Sequence, residues 1–289
     1  MKKIFLFLFG IMLCLNLTAC GLEMRGDNVA SNPPLASNSY FEVHYIDVGQ
    51  ADAALVLCDG GSMLIDGGNA SDSNLIAAYL KKLNIETLDY IICSHAHEDH
   101  VGGLSGALSV VQVKNVLAPQ KDADTKAYEN FKEKTAAQGL TIEHPKAGDK
   151  FTLGSCKIEI FGPINENPKE TNNSSIVMKL TYGDTSFLFT GDAERAEEAD
   201  IINAGYDLSA DVLKVGHHGS DTSTSYVFLR EIMPKYAVIS VGKNNNGHPS
   251  EAVLSRLKDA DAIVYRTDLQ GDIIASSDGS NITITTSEN

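Results

Sequence analysis

The chain has 289 residues, 43% of them hydrophobic, and a formal net charge of −15. That length and apolar content suffice for one large core, and no interior shift in composition marks a second domain. The acidic balance and the lack of any Lys/Arg run exclude a broad polyanion-binding surface, so an anionic ligand would have to be held locally.

Residues 1–19 read as a targeting segment rather than part of the fold. Lys2 and Lys3 precede an apolar run over 4–17, and Leu17-Thr18-Ala19-Cys20 places small residues at a cleavage point. Cysteine directly after such a point is what a lipoprotein needs, because its thiol receives the diacylglyceryl group. The expectation is therefore a lipid anchor on Cys20 at the extracytoplasmic face of a bacterial cell membrane, two acyl chains giving stable attachment where one does not. Residues 20–39, rich in Asn, Ser, Pro and Gly, read as a flexible tether spanning roughly 25 Å. Residues 40–289 form the expected folded domain. Cys58, Cys93 and Cys156 lie in apolar runs and read as small buried hydrophobes, with no disulfide framework.

The domain alternates strands and helices. Strands are expected over 41–48, 53–58 and 62–65, the last two joined around Asp59-Gly60-Gly61. The spacing of Leu75, Ile76, Tyr79, Leu80 and Leu83 predicts a helix over 72–83. An apolar strand over 88–93 runs into a helix from about 99. A strand over 113–118 and an amphipathic helix over 124–138 follow. Strands over 156–161, 176–182 and 186–190 precede a helix over 193–204. A strand over 212–215, a helix over 225–233 and a strand over 236–241 come next. A helix over 249–258 and three short strands reaching 286 close the chain. Hairpins mixed with β-α units argue for an α+β or α/β class, with two packed sheets and helices outside.

Three of eight histidines fall in His95-Ala96-His97-Glu98-Asp99-His100, between a buried strand and a helix start. His95 and His97, two apart in extended chain, point the same way, and Asp99 and His100 turn to the other side. Four N/O donors in six residues suit a pair of borderline or hard divalent ions. Gly102-Gly103 permits close backbone approach just behind them.

At these residues the chain resembles the metallo-β-lactamase superfamily, and more narrowly the ComEC-type competence proteins. The resemblance spans about residues 40–286. It rests on Asp47-Val48-Gly49-Gln50-Ala51-Asp52-Ala53, Leu64-Ile65-Asp66-Gly67-Gly68 and the six-residue motif, then on Asn172-Asn173-Ser174-Ser175 and Phe189-Thr190-Gly191-Asp192-Ala193-Glu194. Leu213-Lys214-Val215-Gly216-His217-His218-Gly219-Ser220 and Asn246-Gly247-His248-Pro249 complete it. It implies a four-layer αββα sandwich and two divalent cations, Zn²⁺ or Mn²⁺. His95 and His97 are the implied ligands of the first metal, Asp99 and His100 of the second, and Asp192 bridges both. His217 is the implied last ligand of the second metal, with His218 beside it as its support or a substrate contact. The pair is open to exchange, because adjacent side chains diverge and only one is expected to ligate. Asp66 is the implied carboxylate orienting a ligand histidine.

The chain departs from the pattern in two places. The further histidine that most superfamily hydrolases give the first metal is missing, and Asn172-Asn173 stands in its place. The only histidine in that interval is His144, which like His44 reads as a surface or internally satisfied residue. A ligand-poor first site favours oxygen-preferring Mn²⁺. Ala51 stands where the subgroup has Gly, narrowing a backbone approach near the site.

The implied activity is hydrolysis of a phosphodiester, DNA or another, by a metal-bridging hydroxide held near Asp99 and Asp192. His248, Ser220 and Asn173 are the implied contacts to the phosphate or leaving group. Two other readings fit the residues, a phosphorylcholine-esterase-like hydrolase of the cell surface and a non-catalytic metal-binding lipoprotein.

Overall fold

The computed structural model describes residues 40–288; the leader, Cys20 and the tether lie outside them. Strands β1 (Phe41–Tyr45), β2 (Ala54–Cys58), β3 (Gly61–Ile65), β4 (Thr87–Ile92), β5 (Gln112–Leu117) and β6 (Ile142–Glu143) begin the first sheet. The second sheet holds β7 (Lys150–Leu153), β8 (Cys156–Gly162), β9 (Val177–Tyr182) and β10 (Thr185–Phe189). To these it adds β11 (Val212–Lys214), β12 (Tyr236–Ile239) and β13 (Ile263–Arg266). Strands β14 (Ile273–Ser277) and β15 (Ile282–Thr286) return to the first. The orders are β15-β14-β1-β2-β3-β4-β5-β6 and β13-β12-β11-β10-β9-β8-β7.

Strand alternation builds the layers. Ala54, Val56 and Cys58 of β2 face the core between the sheets, while Leu55 faces the outer helices. The inter-sheet core carries Phe41, whose ring lies 5.0 Å from Tyr182 and 4.9 Å from Phe187. Each such buried side chain contributes roughly 1.5–3 kcal/mol. Helices α1 (Ser73–Lys82), α2 (Glu98–Val101), α3 (Leu104–Val110) and α4 (Lys126–Ala137) cover the first sheet through Ile76, Leu80, Leu104 and Phe131. Helices α5 (Arg195–Ala204), α6 (Tyr226–Ile232) and α7 (Glu251–Asp259) cover the second through Ile201, Phe228 and Leu257. A short α8 (Thr267–Gln270) follows β13. The expected αββα sandwich is the observed fold. Among the described residues no helix is long and apolar enough to cross a membrane.

The boundaries differ in places. The strand expected to reach 48 ends at Tyr45, because Ile46 N turns to Ala53 O and starts a loop. The helix expected from about 99 is two pieces, parted at Gly102-Gly103. A Cβ on Gly103 would lie 1.8 Å from the Gly67 carbonyl oxygen, so this contact requires glycine. Strands β6 and β7 and helix α8 were not anticipated.

Strands β3, β4 and β5 are parallel, as are β10, β11, β12 and β13. Their carboxyl ends, the β1–β2 loop and the turn before β9 therefore gather at one edge of the sandwich. Ligand sites of open α/β sheets form at such edges.

Candidate metal centre

Every residue of the six-residue motif sits just past the end of β4. Ser94 N donates to Asp66 Oδ1 at 2.7 Å and Ser94 Oγ to Asp66 Oδ2 at 2.7 Å. Asp66 itself has φ 55, a left-handed conformation that costs a non-glycine residue roughly 1–2 kcal/mol. The cost is offset locally, since Asp66 N also donates to Ile92 O at 2.8 Å. The Asp66 carboxylate stands 2.9 Å from His100 Nδ1. A carboxylate only accepts, so the proton resides on Nδ1 and His100 Nε2 faces Asp192 Oδ1, 3.2 Å away.

Asp192 is the hub. It follows β10, is buried, and is positioned by Ser175 Oγ, which accepts from Asp192 N at 3.0 Å. Besides His100, its Oδ2 is approached by the Nε2 atoms of His95 at 3.8 Å, His217 at 3.6 Å and His218 at 3.9 Å. His95 Nε2 lies 3.0 Å from His97 Nδ1.

Among the described residues the donors converge in three groups: His95 with His97 and Asp192, Asp99 with His100 and His218, and, wholly buried behind the second, Asp52 with Asp66 and His100. The structure thus brings together His95, His97, Asp99, His100 and Asp192, and it places His218 rather than His217 in the second group. His218 Nε2 is 3.3 Å from Asp99 Oδ2. Its Nδ1 is 3.0 Å from Ser240 O, which accepts and so fixes the proton on Nδ1.

His217 lies at the mouth, its Nδ1 3.1 Å from Thr222 Oγ1 and 3.7 Å from Glu194 Oε1. Both histidines face Asp192 although adjacent side chains of a strand diverge. The reason is their backbone, left-handed at φ 52 in each, which coils the chain so that successive side chains share a side.

His248 also stands at the mouth, its ring centroid 5.6 Å from that of His217 and its Nδ1 3.4 Å from Gln50 Nε2. Asn173 and Ser220 each make a contact beside the cleft. Asn173 Oδ1 accepts from Glu194 N at 3.0 Å, bracing the turn after Asp192, and Ser220 Oγ pairs with Thr222 Oγ1 at 3.1 Å. Asn172, which had no role assigned, reaches Glu194 Oε1 at 3.2 Å. His144 is remote, bonded to Ala118 O at 3.0 Å. His44 is buried between Tyr79 Oη at 2.9 Å and Glu42 Oε2 at 3.0 Å. Ala51 is buried among the apolar residues beneath the helices of the first sheet.

Two charged residues were missed. Asp52 and Lys214 are buried and paired at 2.7 Å. The signal was present, a lysine inside Val212-Leu213-Lys214-Val215, an otherwise apolar strand.

The charges are strongly coupled. Burial opposes ionisation of Asp192, yet His100, His218 and His95 hold its carboxyl well below the usual range. Burial likewise disfavours a cation on His218, but Asp52 and Asp192 outweigh it and raise the pKa to about 10. His95 moves the other way, pushed well down by burial and by His100.

A divalent pair fits this donor set. His100 Nε2, His218 Nε2 and Asp192 Oδ1 are buried and make no hydrogen bond, a costly state for polar atoms unless something else satisfies them. All are bases that ligate zinc or manganese.

The match to known proteins agrees with this chemistry. Residues 46–243 match the metallo-beta-lactamase superfamily, and the chain belongs to it. Its domain is of the ComEC type. It is 34% identical over 251 residues to ComE operon protein 3 of Bacillus subtilis, covering 80% of this chain and 32% of that protein. It is 31% identical over 244 residues to recombination protein 2 of Haemophilus influenzae, covering 82% and 29%. The chain thus spans about a third of the length of these relatives. Among solved structures it resembles the metallo-beta-lactamase fold protein YhfI of Bacillus subtilis, with TM-score 0.56 and 17% identity, over 82% of this chain and all of that one. The diiron beta-hydroxylase CmlA of Streptomyces venezuelae matches with TM-score 0.53 and 12% identity, over 85% of this chain and 55% of that one. Likeness at these identities speaks to the fold alone.

Proposed function

We propose that the protein is a metal-dependent phosphodiesterase, with DNA as the substrate class suggested by its competence-protein relatives. The observation that carries this reading is the pair of donor groups meeting at Asp192, in which His100 Nε2, His218 Nε2 and Asp192 Oδ1 are buried and otherwise unsatisfied. His95, His97 and Asp192 would hold one ion, and Asp99, His100 and His218, with Asp192 alongside, the other. Such a pair, when bound, supplies an acidified water and neutralises charge on the attacking and leaving oxygens.

The chain's own residues do the rest. Asp66 keeps His100 in the tautomer that presents Nε2, and Ser240 O does the same for His218. Asp99, the less buried carboxylate of the centre, faces the cleft and orients the attacking water by accepting its hydrogen. His217 and His248 flank the mouth and hold the phosphate or the leaving oxygen. Glu194 and Thr222 keep the His217 ring turned inward. The domain acts from the extracytoplasmic face of a bacterial membrane, tethered through lipid on Cys20.

The test is metal analysis of the purified domain joined to an assay panel of DNA, RNA, bis-p-nitrophenyl phosphate and p-nitrophenyl phosphorylcholine. Metal-dependent cleavage of the first three supports the reading. Turnover of the choline ester alone would replace it with a small-ester hydrolase.

A further inference from the structure

Each imidazole of the second group is backed by a buried carboxylate, but the two carboxylates are supported differently. Asp66 behind His100 is held by neutral donors, the amide and hydroxyl of Ser94. Asp52 stands behind His218, its Oδ1 3.3 Å from Nδ1, and is held by a cation, Lys214 Nζ at 2.7 Å. Asp52 Oδ2 also lies 3.9 Å from His100 Nδ1, so this carboxylate is close to both rings.

The pair links the two sheets. Asp52 belongs to the β1–β2 loop, where its N donates to Asp99 O at 3.0 Å and its O accepts from Gly68 N at 2.8 Å. Lys214 ends β11 in the opposite sheet and also donates to Val215 O at 3.0 Å. The void that both residues line is about 10 Å³, at the lower limit for one water. With so little solvent to screen them, these two charges are felt directly by the donors above.

We propose that Asp52 and Lys214 are positioning residues that set the cation affinity of the Asp99–His100–His218 site by opposed charges behind its imidazoles. The inference rests on the two-cation reading above. Asp52 makes the imidazoles stronger donors and draws a cation in, as carboxylates behind ligand histidines do. Lys214 cancels part of that charge and keeps the empty site from holding an unbalanced anion.

The opposed signs give the test. Chelator-stripped protein is titrated with Zn²⁺ against a chromophoric chelator, and with Co²⁺ while its ligand-field spectrum is followed. Asp52→Asn keeps the shape, leaves Lys214 unopposed, and should weaken the tighter of two sites about 10- to 100-fold. Lys214→Gln should strengthen that same site while lowering the stability of the metal-free protein. The double variant Asp52→Asn/Lys214→Gln restores charge balance; its affinity should lie between the single variants, and it covers the case of Lys214→Gln failing to fold. A merely structural pair would weaken binding in both single variants, and that result, with two ions still bound by the wild type, overturns this inference alone. Absence of metal binding by the wild type would overturn it together with the reading it rests on.

Discussion

His217 and His218 are chemically identical neighbours whose roles are separated by what each Nδ1 touches. Ser240 O and Asp52 lie behind the buried His218, whereas Thr222 and Glu194 hold the more exposed His217. His218→Ala should therefore release the more tightly bound ion, while His217→Ala should retain both ions and lower turnover about 100-fold or more. Metal content and kcat measured on the same preparations check this; equal metal loss in both variants would refute the division. Occupancy should also be stepwise, because the His95–His97 group has one carboxylate and its partner has two. Activity should appear as the weaker site fills, with Mn²⁺ at least as effective as Zn²⁺, in a titration of stripped protein with each ion.

Glu197 carries a separate residue-scale consequence. It is buried and accepts from Ile164 N at 2.7 Å, and burial pushes its pKa from 4.5 up to about 7. A folded-state pKa above the unfolded one stabilises the fold fully below the ordinary carboxylate range. That contribution is lost as pH rises from 4.5 through about 7. The loss is at most roughly 1.4 kcal/mol for each pH unit crossed, and less where solvent screens the carboxylate. Glu197→Gln keeps an acceptor for Ile164 N and should raise Tm at pH near 8 while changing it little near pH 4, as thermal unfolding across that range would show.

At the scale of elements, helices α1 and α3 meet without room for a side chain at Gly106. A Cβ there would lie 2.1 Å from Ser73 O, so Gly106→Ala should cost about 1–3 kcal/mol in urea unfolding. The α1 helix itself was legible from the spacing of Ile76 and Leu80, and β4 from its apolar run. The metal motif was legible because so many N/O donors in six residues have few other uses. Strands β6 and β7 were not, being two and four residues long with exposed polar positions. Nor was the choice between His217 and His218. Their left-handed backbone is not something histidine's side chain announces. Asp52 stood inside a motif already noticed, but its role depends on Lys214 across the sandwich, a pairing visible only once the sheets are stacked.

For the whole molecule, the proposed lipid anchor on Cys20 predicts that Cys20→Ala moves the protein from the detergent phase to the aqueous phase. The melting curve of the domain should not change. Unaltered phase partitioning would remove the lipid anchor from the proposal. The charge of −15 adds that cleavage of long DNA should fall at low ionic strength relative to a short neutral-flanked diester, since repulsion then reaches farther. Rates for the two substrates across a salt series test this.

The donors of the centre come from both sheets, the six-residue motif from the first and Asp192 and His218 from the second. A cation held between them is a rivet through the sandwich. Such an ion would resist the parting of the two sheets, while its own exchange would run through the mouth, where His97 and Asp99 are the more exposed donors. At a hundredfold excess over Kd it would add about 2.7 kcal/mol to stability. A chelator would then be read in a calorimeter as a denaturant, and the ion that most raises the melting temperature of the stripped protein would be the one the empty site binds most tightly.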